Sequence, residues 1–558
     1  MLAAKLLAQI SKRHGWSNFT YFEYPSLIKG GHQSGQVFAH PEQATSQKKL
    51  VDVLLVLNPD GLSLHIDELF SDTLVLYESN LGDLDISQYQ TKTSHIVSVP
   101  IAAITKAVTE ESMAVNMTCL GISCFTCGLD TEIAKQTIID DLAGKPEKII
   151  QADLKAFEAG FNYAQANLQP VHPIISPQPD TQIMLTGNEA IGLGAISAGI
   201  QFYSAYPMTP SSGLLHYLAE QQFNYPLVVK HAEDEIGAIN HALGASYAGV
   251  RAMTGTSGGG LALMTETVAL ASITETPLVI LDAQRAGPAT GLPTWTAQAD
   301  LSFVLTMGHG DIQRAVLTPG TIEEHYSLTR LAFDLADTFQ IPVFILSDKH
   351  ALESYATMAQ PPATTTINRE GLATDTQLPT DNSYLRYQIT YSGVSPRTIP
   401  GQAHGLHLAN SYEHDEWGFA TEDAIVTKNQ VEKRARKMET ITQLLPQPVL
   451  FGPPQAEMTL VSWGSTVLAT QELVFQAMQQ SLSINAIHLP CVWPFPSNSF
   501  SELAKNAKQL VMIEANQSGQ AERLVRQETG IQFDHHIRRY DGRPFYVEEL
   551  LVELKGWL

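Results

Sequence analysis

A chain of 558 residues exceeds what one hydrophobic core supports, so three or four domains of roughly 150 residues each are expected. Hydrophobic residues at 44% and charged residues at 16% match a packed globular protein, and a formal charge of −23 would repel both a nucleic-acid backbone and an anionic membrane surface. No apolar run reaches the roughly 20 residues of a membrane helix, and four cysteines in this length make no extracellular disulfide framework; a cytoplasmic enzyme is expected.

Residues 1–168 form the first piece. The opening MLAAKLLAQISKRHG breaks into Ser-Lys-Arg-His before a signal-peptide core could form. Cys119, Cys124 and Cys127 copy the spacing of plant-type [2Fe-2S] ligands. They sit in an apolar helix-like run, AVNMTCLGISCFTCGL, and the remaining Cys491 falls in another domain, so buried thiols are expected. The stretch QPVHPIISPQPDTQ (169–182) carries four prolines and no helical period, the composition of an extended linker.

In residues 183–357, short β-branched or aromatic runs alternate with helical patterns: FYSAY, PLVVK, RAMTG, PLVIL and PVFILS, with helices starting near Ser211, near Asp234 and at a glycine-led turn. That alternation predicts a parallel sheet covered by helices on both faces. Residues 358–455 are read as an irregular connecting segment. Within it His404, His407, Glu413, His414, Asp415 and Glu416 are taken as loop residues rather than a metal site, and Lys433, Arg434, Arg436 and Lys437 as a solvated helix face. Residues 456–558 repeat the α/β pattern on a smaller scale with TLVSWG, INAIHL and QLVMIEA.

Ligands of open parallel sheets bind beyond the carboxyl ends of the strands. Four polar or glycine-rich breaks fall there in successive loops. Thr209 lies between Pro207 and Pro210 after FYSAY; Glu233, Asp234 and Glu235 follow PLVVK; Thr256, Ser257, Gly258, Gly259 and Gly260 follow RAMTG; Arg285 follows PLVIL. Each has an ordinary structural alternative: a turn threonine, helix-capping carboxylates, a close-packing glycine turn, an arginine paired with a carboxylate. As a functional group Arg285 would grip a substrate carboxylate through its planar fork. Neither a Walker P-loop nor a Gly-x-Gly-x-x-Gly fingerprint is present in the glycine turn.

The segments GNEAIGLGAISAGIQFYSAYPMTPSSGLL, AEDEIGAINHALGASYAGVRAMTGTSGGG and LDAQRAGPATGLPT resemble the pyrimidine-side domain of the 2-oxoacid:ferredoxin oxidoreductases, thiamine-diphosphate enzymes that oxidise 2-oxoacids to acyl-CoA. GVSPRTIPGQAHG and EHDEWGFATED are similar to the segment that follows in the alpha subunit, MIEANQSGQAERLVR and YDGRPFYVEEL to its C-terminal domain, and EYPSLIKGGHQSGQV to the gamma domain that many members fuse ahead of alpha. The resemblance implies a multidomain α/β fold with a gamma-like domain, a thiamine-diphosphate-binding domain and a C-terminal domain like that of transketolase. It implies that Glu235, with Glu233 the alternative, pairs with the aminopyrimidine ring of the cofactor, that Tyr206, Pro207, Thr256, Ser257 and Gly258 line the cofactor, and that Thr209, Ser211 and Arg285 meet the substrate.

The sequence lacks the Gly-Asp-Gly segment that normally binds the pyrophosphate and Mg2+, and it has no iron–sulfur relay. The resemblance therefore implies a beta subunit that supplies Mg2+ and a [4Fe-4S] cluster and completes the site, with CoA as co-substrate and ferredoxin as acceptor. The RAGPATGLPT loop favours 2-oxoglutarate; pyruvate, a broad 2-oxoacid range and a non-catalytic scaffold are the alternatives. Three features depart from the family: the chain starts inside what would be the gamma domain's first helix, Trp295 and Ala297 stand where many relatives carry Lys and Glu, and Gly259 replaces a proline.

Overall fold

The computed structural model of the chain describes residues 1–557 apart from 27–30, 83–84, 174–175, 363–365 and 382. Part of the EYPSLIKGGHQSGQV motif (27–30) and part of the proline-rich linker (174–175) thus lie outside the described residues. Tertiary contacts divide the chain into two units, one of Met1–Met184, Ser354–Gln360 and Tyr546–Glu553, the other of Leu185–Glu353, Pro361–Phe545 and Leu554–Leu558.

In the first unit the aromatic run of β1 (Ser17–Glu23) pairs antiparallel with β2 (Ser34–His40) across seven residues. A four-stranded sheet follows in the order β2-β1-β13-β6, where β13 is Tyr355–Ala359 and β6 is Gln182–Thr186. A second sheet is parallel, β3 (Val53–Val56), β4 (Leu74–Glu78) and β5 (Ile96–Val99). Two helices, Val115–Thr126 and Glu147–Asn167, meet backbone to backbone through paired glycines. A Cβ on Gly121 would lie 2.1 Å from the carbonyl oxygen of Phe157, and one on Gly160 would lie 2.2 Å from that of Thr118. No larger residue fits either position without parting the helices. Cys119 and Cys124 are buried on the first of these helices and Cys127 caps it; burial pushes the Cys119 thiol up to about 12 and that of Cys127 to about 11. Such thiols are packing groups, not reactive thiolates.

In the second unit the apolar runs form a seven-stranded sheet ordered β17-β11-β12-β10-β9-β7-β8. The strands are β7 (Phe202–Ala205), β8 (Val228–His231), β9 (Ala252–Thr256), β10 (Leu278–Gln284), β11 (Ala315–Leu317), β12 (Pro342–Asp348) and β17 (Cys491–Trp493). Six run parallel. The seventh, β17, comes from the C-terminal part of the chain and adds antiparallel to β11, a pairing that no local pattern announces. One apolar core fills each face, with Tyr203, Met253, Leu281 and Ile345 on one side and Ile280, Phe344, Leu346 and Leu261 on the other. A five-stranded sheet of β14 (Val449–Phe451), β15 (Ala456–Trp463), β16 (Ile484–Leu489), β18 (Ala507–Glu514) and β19 (His535–Arg538) builds the smaller α/β layer.

The 358–455 stretch corrects one expectation. Lys433, Arg434 and Lys437 on the helix Ala424–Ile441 are buried rather than solvated, and Arg436 is half-buried. Lys433 and Lys437 both pair with the fully buried carboxylate of Glu275, and Arg434 forks onto Glu413 at 2.9 and 2.6 Å. The helix turns its cations inward because a carboxylate far away in sequence awaits them. His404, His407 and Glu413 to Glu416 lie outside helices and strands. Among the described residues no group of three or more His, Cys, Asp and Glu side chains could hold a metal ion, and no helix is long and apolar enough to cross a membrane.

Candidate active site at the carboxyl edge of the central sheet

The four loops picked out in the sequence leave β7, β8, β9 and β10, neighbouring strands of the sheet, at their carboxyl ends. After β8, Asp234 caps the helix Glu235–Tyr247 by accepting a hydrogen bond from Gly237 N at 2.6 Å. The cap fixes where the helix starts and places Glu235 at its first position. Glu233 is exposed, whereas Glu235 is only 5% exposed. Its carboxylate has no hydrogen-bond partner among the described residues and lies against the glycine turn after β9. A Cβ on Gly260 would stand 2.1 Å from Thr256 Oγ1 and 2.8 Å from Glu235 Oε1, while Gly259 is exposed with only Ala289's carbonyl at 4.0 Å. Glu235, Thr256 and a bare peptide turn thus share one spot, which is the kind of cradle a ring with a protonatable nitrogen needs.

Ser257 is buried with its hydroxyl unpartnered among the described residues, and Gly258 begins the following helix against the Asp300 carboxylate, 2.5 Å from where a Cβ would be. Thr209 and Arg285 are brought together: Arg285 Nη1 donates to the Thr209 carbonyl at 2.8 Å. Both are partly buried, and Tyr206 beside them is exposed. Burial lowers the pKa of Arg285, and the nearby Asp300 partly offsets this. Ser211 is buried and spends its hydroxyl on the carbonyl of Met208 at 2.7 Å, holding the turn ahead of the helix Ser212–Gln221.

Sequence reasoning missed two carboxyls. Asp300 opens the short helix Leu301–Thr306, its backbone N–H donating to Gln284 Oε1 at 3.0 Å. Burial pushes its carboxyl up to about 6, with Arg285 pulling the other way. Asp282, inside β10, is fully buried, and burial first, then the charge of Asp300, holds it well above the ordinary range. An Asp inside an otherwise apolar strand was the available signal. The Trp295 loop is also anchored: Thr296 N donates to the Gly542 carbonyl at 3.1 Å, and the Arg543 guanidinium lies 3.3 Å from the centre of the Trp295 ring.

Three family models match the chain in sequence: pyruvate ferredoxin/flavodoxin oxidoreductase over residues 1–163, the thiamine-diphosphate-binding pyruvate flavodoxin/ferredoxin oxidoreductase domain over 193–434, and pyruvate:ferredoxin oxidoreductase core domain II over 456–550. Among solved structures, the 2-oxoglutarate:ferredoxin oxidoreductase from Magnetococcus marinus superposes with a TM-score of 0.93 at 30% identity, covering 100% of this chain and 96% of that one. The chain belongs to the 2-oxoacid:ferredoxin oxidoreductases. Subunit alpha of 2-oxoacid:ferredoxin oxidoreductase 2 from Aeropyrum pernix is 29% identical over 96% of this chain and 92% of its own length. The 2-oxoglutarate synthase subunit KorA of Methanocaldococcus jannaschii is 31% identical over 60% of this chain and 88% of its own length. As a 2-oxoacid:ferredoxin oxidoreductase alpha subunit the chain is part of an oxidoreductase, and Thr209, Glu235, Thr256 and Arg285 all fall within its thiamine-diphosphate-binding domain.

Proposed function

We propose that the chain contributes the pyrimidine-side half of a site that oxidises 2-oxoglutarate to succinyl-CoA and CO2, passing two electrons to ferredoxin. The observation that carries this is the buried Glu235 carboxylate, unpartnered among the described residues, beside the Gly258-Gly259-Gly260 turn, at the same carboxyl edge of the sheet as an arginine tethered to the Thr209 carbonyl. Bound thiamine diphosphate would supply the carbanion that attacks the keto carbon. Glu235 would hold a proton at the ring nitrogen, its burial strengthening that contact, and its enclosure favours it over the exposed Glu233. Tyr206, Pro207, Thr256, Ser257 and Gly258 would line the ring and exclude water. Arg285, oriented through the Thr209 carbonyl, would keep its remaining donors for the 2-oxoacid carboxylate, with Thr209 and Ser211 at the same end.

The choice of 2-oxoglutarate is supported by the Magnetococcus marinus enzyme, whose structure holds 2-oxoglutarate, coenzyme A and succinyl-CoA, and by relatives named 2-oxoglutarate synthase. With no Gly-Asp-Gly segment in this sequence, a beta subunit would provide Mg2+, the pyrophosphate contacts and the [4Fe-4S] relay to ferredoxin.

The test is reduction of a viologen dye by this chain co-expressed with a beta subunit, with thiamine diphosphate, Mg2+ and CoA. CoA-dependent reduction faster with 2-oxoglutarate than with pyruvate is expected; an intact, cluster-loaded complex that reduces nothing would leave the scaffold alternative. In the same assay Glu235→Gln should abolish turnover while complex formation is retained. Arg285→Ala should raise KM for the 2-oxoacid by the equivalent of about 2 to 5 kcal/mol, the cost of removing one partner of a charged contact; an unchanged KM would take Arg285 out of the substrate site.

A further inference from the structure

The stretch MIEANQSGQAERLVR carries part of the family resemblance in sequence, yet none of its residues enters the site built above. It spans the end of β18 and the start of the helix Gln520–Thr529. The turn between them is closed by its own polar groups. The fully buried Glu514 carboxylate accepts from Asn516 Nδ2 at 2.7 Å, Ala521 N at 3.0 Å and Glu522 N at 3.3 Å. Asn516 Oδ1 accepts from Gly519 N at 2.8 Å and Gln520 N at 3.3 Å.

Two amides of this turn also reach the loop that follows Arg285. Asn516 Nδ2 donates to the Gln298 carbonyl at 2.9 Å. Gln520 Nε2 donates to the Ala299 carbonyl at 2.7 Å, and its Oε1 accepts from Ser302 N at 2.8 Å. The buried Gln298 answers from the other side: its Nε2 donates to the Trp463 carbonyl at 2.6 Å, its Oε1 accepts from Ala515 N at 2.9 Å, and its backbone N–H donates to the Ala515 carbonyl at 2.8 Å. Each of the three amides is used at both its oxygen and its nitrogen, so direction is fixed as well as position. The clamped residues 298, 299 and 302 lie on either side of Asp300.

Asp300 stands where enclosure matters. Its carboxyl packs on Gly258, and burial sets its titration. The charged groups that act with it are Arg285, after β10, and Asp282, inside β10; the turn after β9 meets it with Gly258, and the C-terminal layer holds its neighbours with amides. A loop free to swing would hydrate the carboxyl and leave it anionic over a wider pH range.

We propose that Gln520 and Asn516 are positioning residues for the substrate-carboxylate grip: through their amides the C-terminal α/β layer keeps Asp300 enclosed, and so governs how far Asp300 competes with a 2-oxoacid carboxylate for Arg285. The inference rests on Arg285 meeting the substrate, as proposed above.

The test is steady-state kinetics of the assembled enzyme from about pH 5 to 8 with Gln520→Met, which keeps the length of the side chain and removes both of its hydrogen bonds to the loop. Hydration should return Asp300 towards the ordinary aspartate value of about 4. KM for the 2-oxoacid is then expected to be about threefold or more above that of the unsubstituted enzyme at pH 5 and within about twofold at pH 8, with kcat within about twofold throughout. Added to Asp300→Asn, the same substitution should change KM no further, because the group it acts through is gone. Gln520→Ala carries the same expectations should Gln520→Met fail to assemble. A KM profile that superposes on that of the unsubstituted enzyme overturns the proposal, as does a KM raised by one factor at every pH and equally in Asp300→Asn, which marks a tether of the fold alone. If Arg285→Ala leaves KM unchanged, the reading of Arg285 falls and this inference with it; if Arg285→Ala raises KM while Gln520→Met does not, only the clamp falls.

Discussion

At the scale of single residues, Asp300 sets a condition on Arg285. Its carboxyl, pushed up to about 6 by burial, is neutral below that pH and anionic above it. An anionic Asp300 competes with a bound carboxylate for the positive field of Arg285; a neutral one does not. KM for the 2-oxoacid is therefore expected to rise as pH climbs through about 6, and Asp300→Asn should flatten that dependence, as steady-state kinetics from about pH 5 to 8 would show. A KM profile identical in both enzymes would separate Asp300 from Arg285. The close approach of Gly258 to this carboxyl shows why glycine stands there: a side chain would displace it.

At the scale of elements, the long stretch between the two α/β layers is held by buried ion clusters. Glu275 receives Lys433 and Lys437 from the helix Ala424–Ile441, while Arg386 donates to its backbone carbonyl at 2.7 Å. Asp337 is shared by Arg251 at 2.8 Å, Arg369 at 3.1 Å and Arg397 at 3.4 Å. A segment poor in apolar residues is thereby fastened to the sheet domain by charge. Burial pulls Lys433 down to about 7, so its ammonium depends on the Glu275 carboxylate. Glu275→Gln should cost about 3 to 5 kcal/mol in denaturant unfolding, because it strands buried cations, and should open the 366–441 stretch to limited proteolysis. A loss below about 1 kcal/mol, typical of exposed pairs, would mean that the cluster does not fasten the segment.

At the scale of the whole molecule, stability on the acid side follows groups that are buried neutral. His325 bridges Thr321's carbonyl at 2.6 Å and Ser347 Oγ at 2.7 Å, and burial pushes it down to about 4. Its folded pKa lies below the value of about 6.5 in an unfolded chain, so the unfolded state binds the proton first. Stability is lost as pH falls from about 6.5 to 4, by roughly 3 kcal/mol from this group at about 1.4 kcal/mol per pKa unit. Asp300, raised in the folded state, works in the opposite sense below about pH 6. Unfolding free energies should therefore fall more steeply between about pH 6.5 and 5 in the unsubstituted chain than in His325→Asn; parallel curves would show that His325 does not govern this window.

The sequence by itself determined the α/β class and the strands PLVIL and PVFILS, because those signals are local: apolar runs of strand length bounded by Pro, Gly and polar turns. It also determined that four special loops follow successive strands, since a parallel ladder sends every such loop to one edge. Tertiary structure alone decided the remainder. Whether Lys433 and Lys437 face water depended on Glu275, more than 150 positions earlier. Whether β17 joins the central sheet depended on a hydrogen-bonding edge left open at β11. That Glu235, Thr256 and Gly260 meet, with Asp282 buried behind them, depended on cross-strand register, a relation between segments that no single segment encodes.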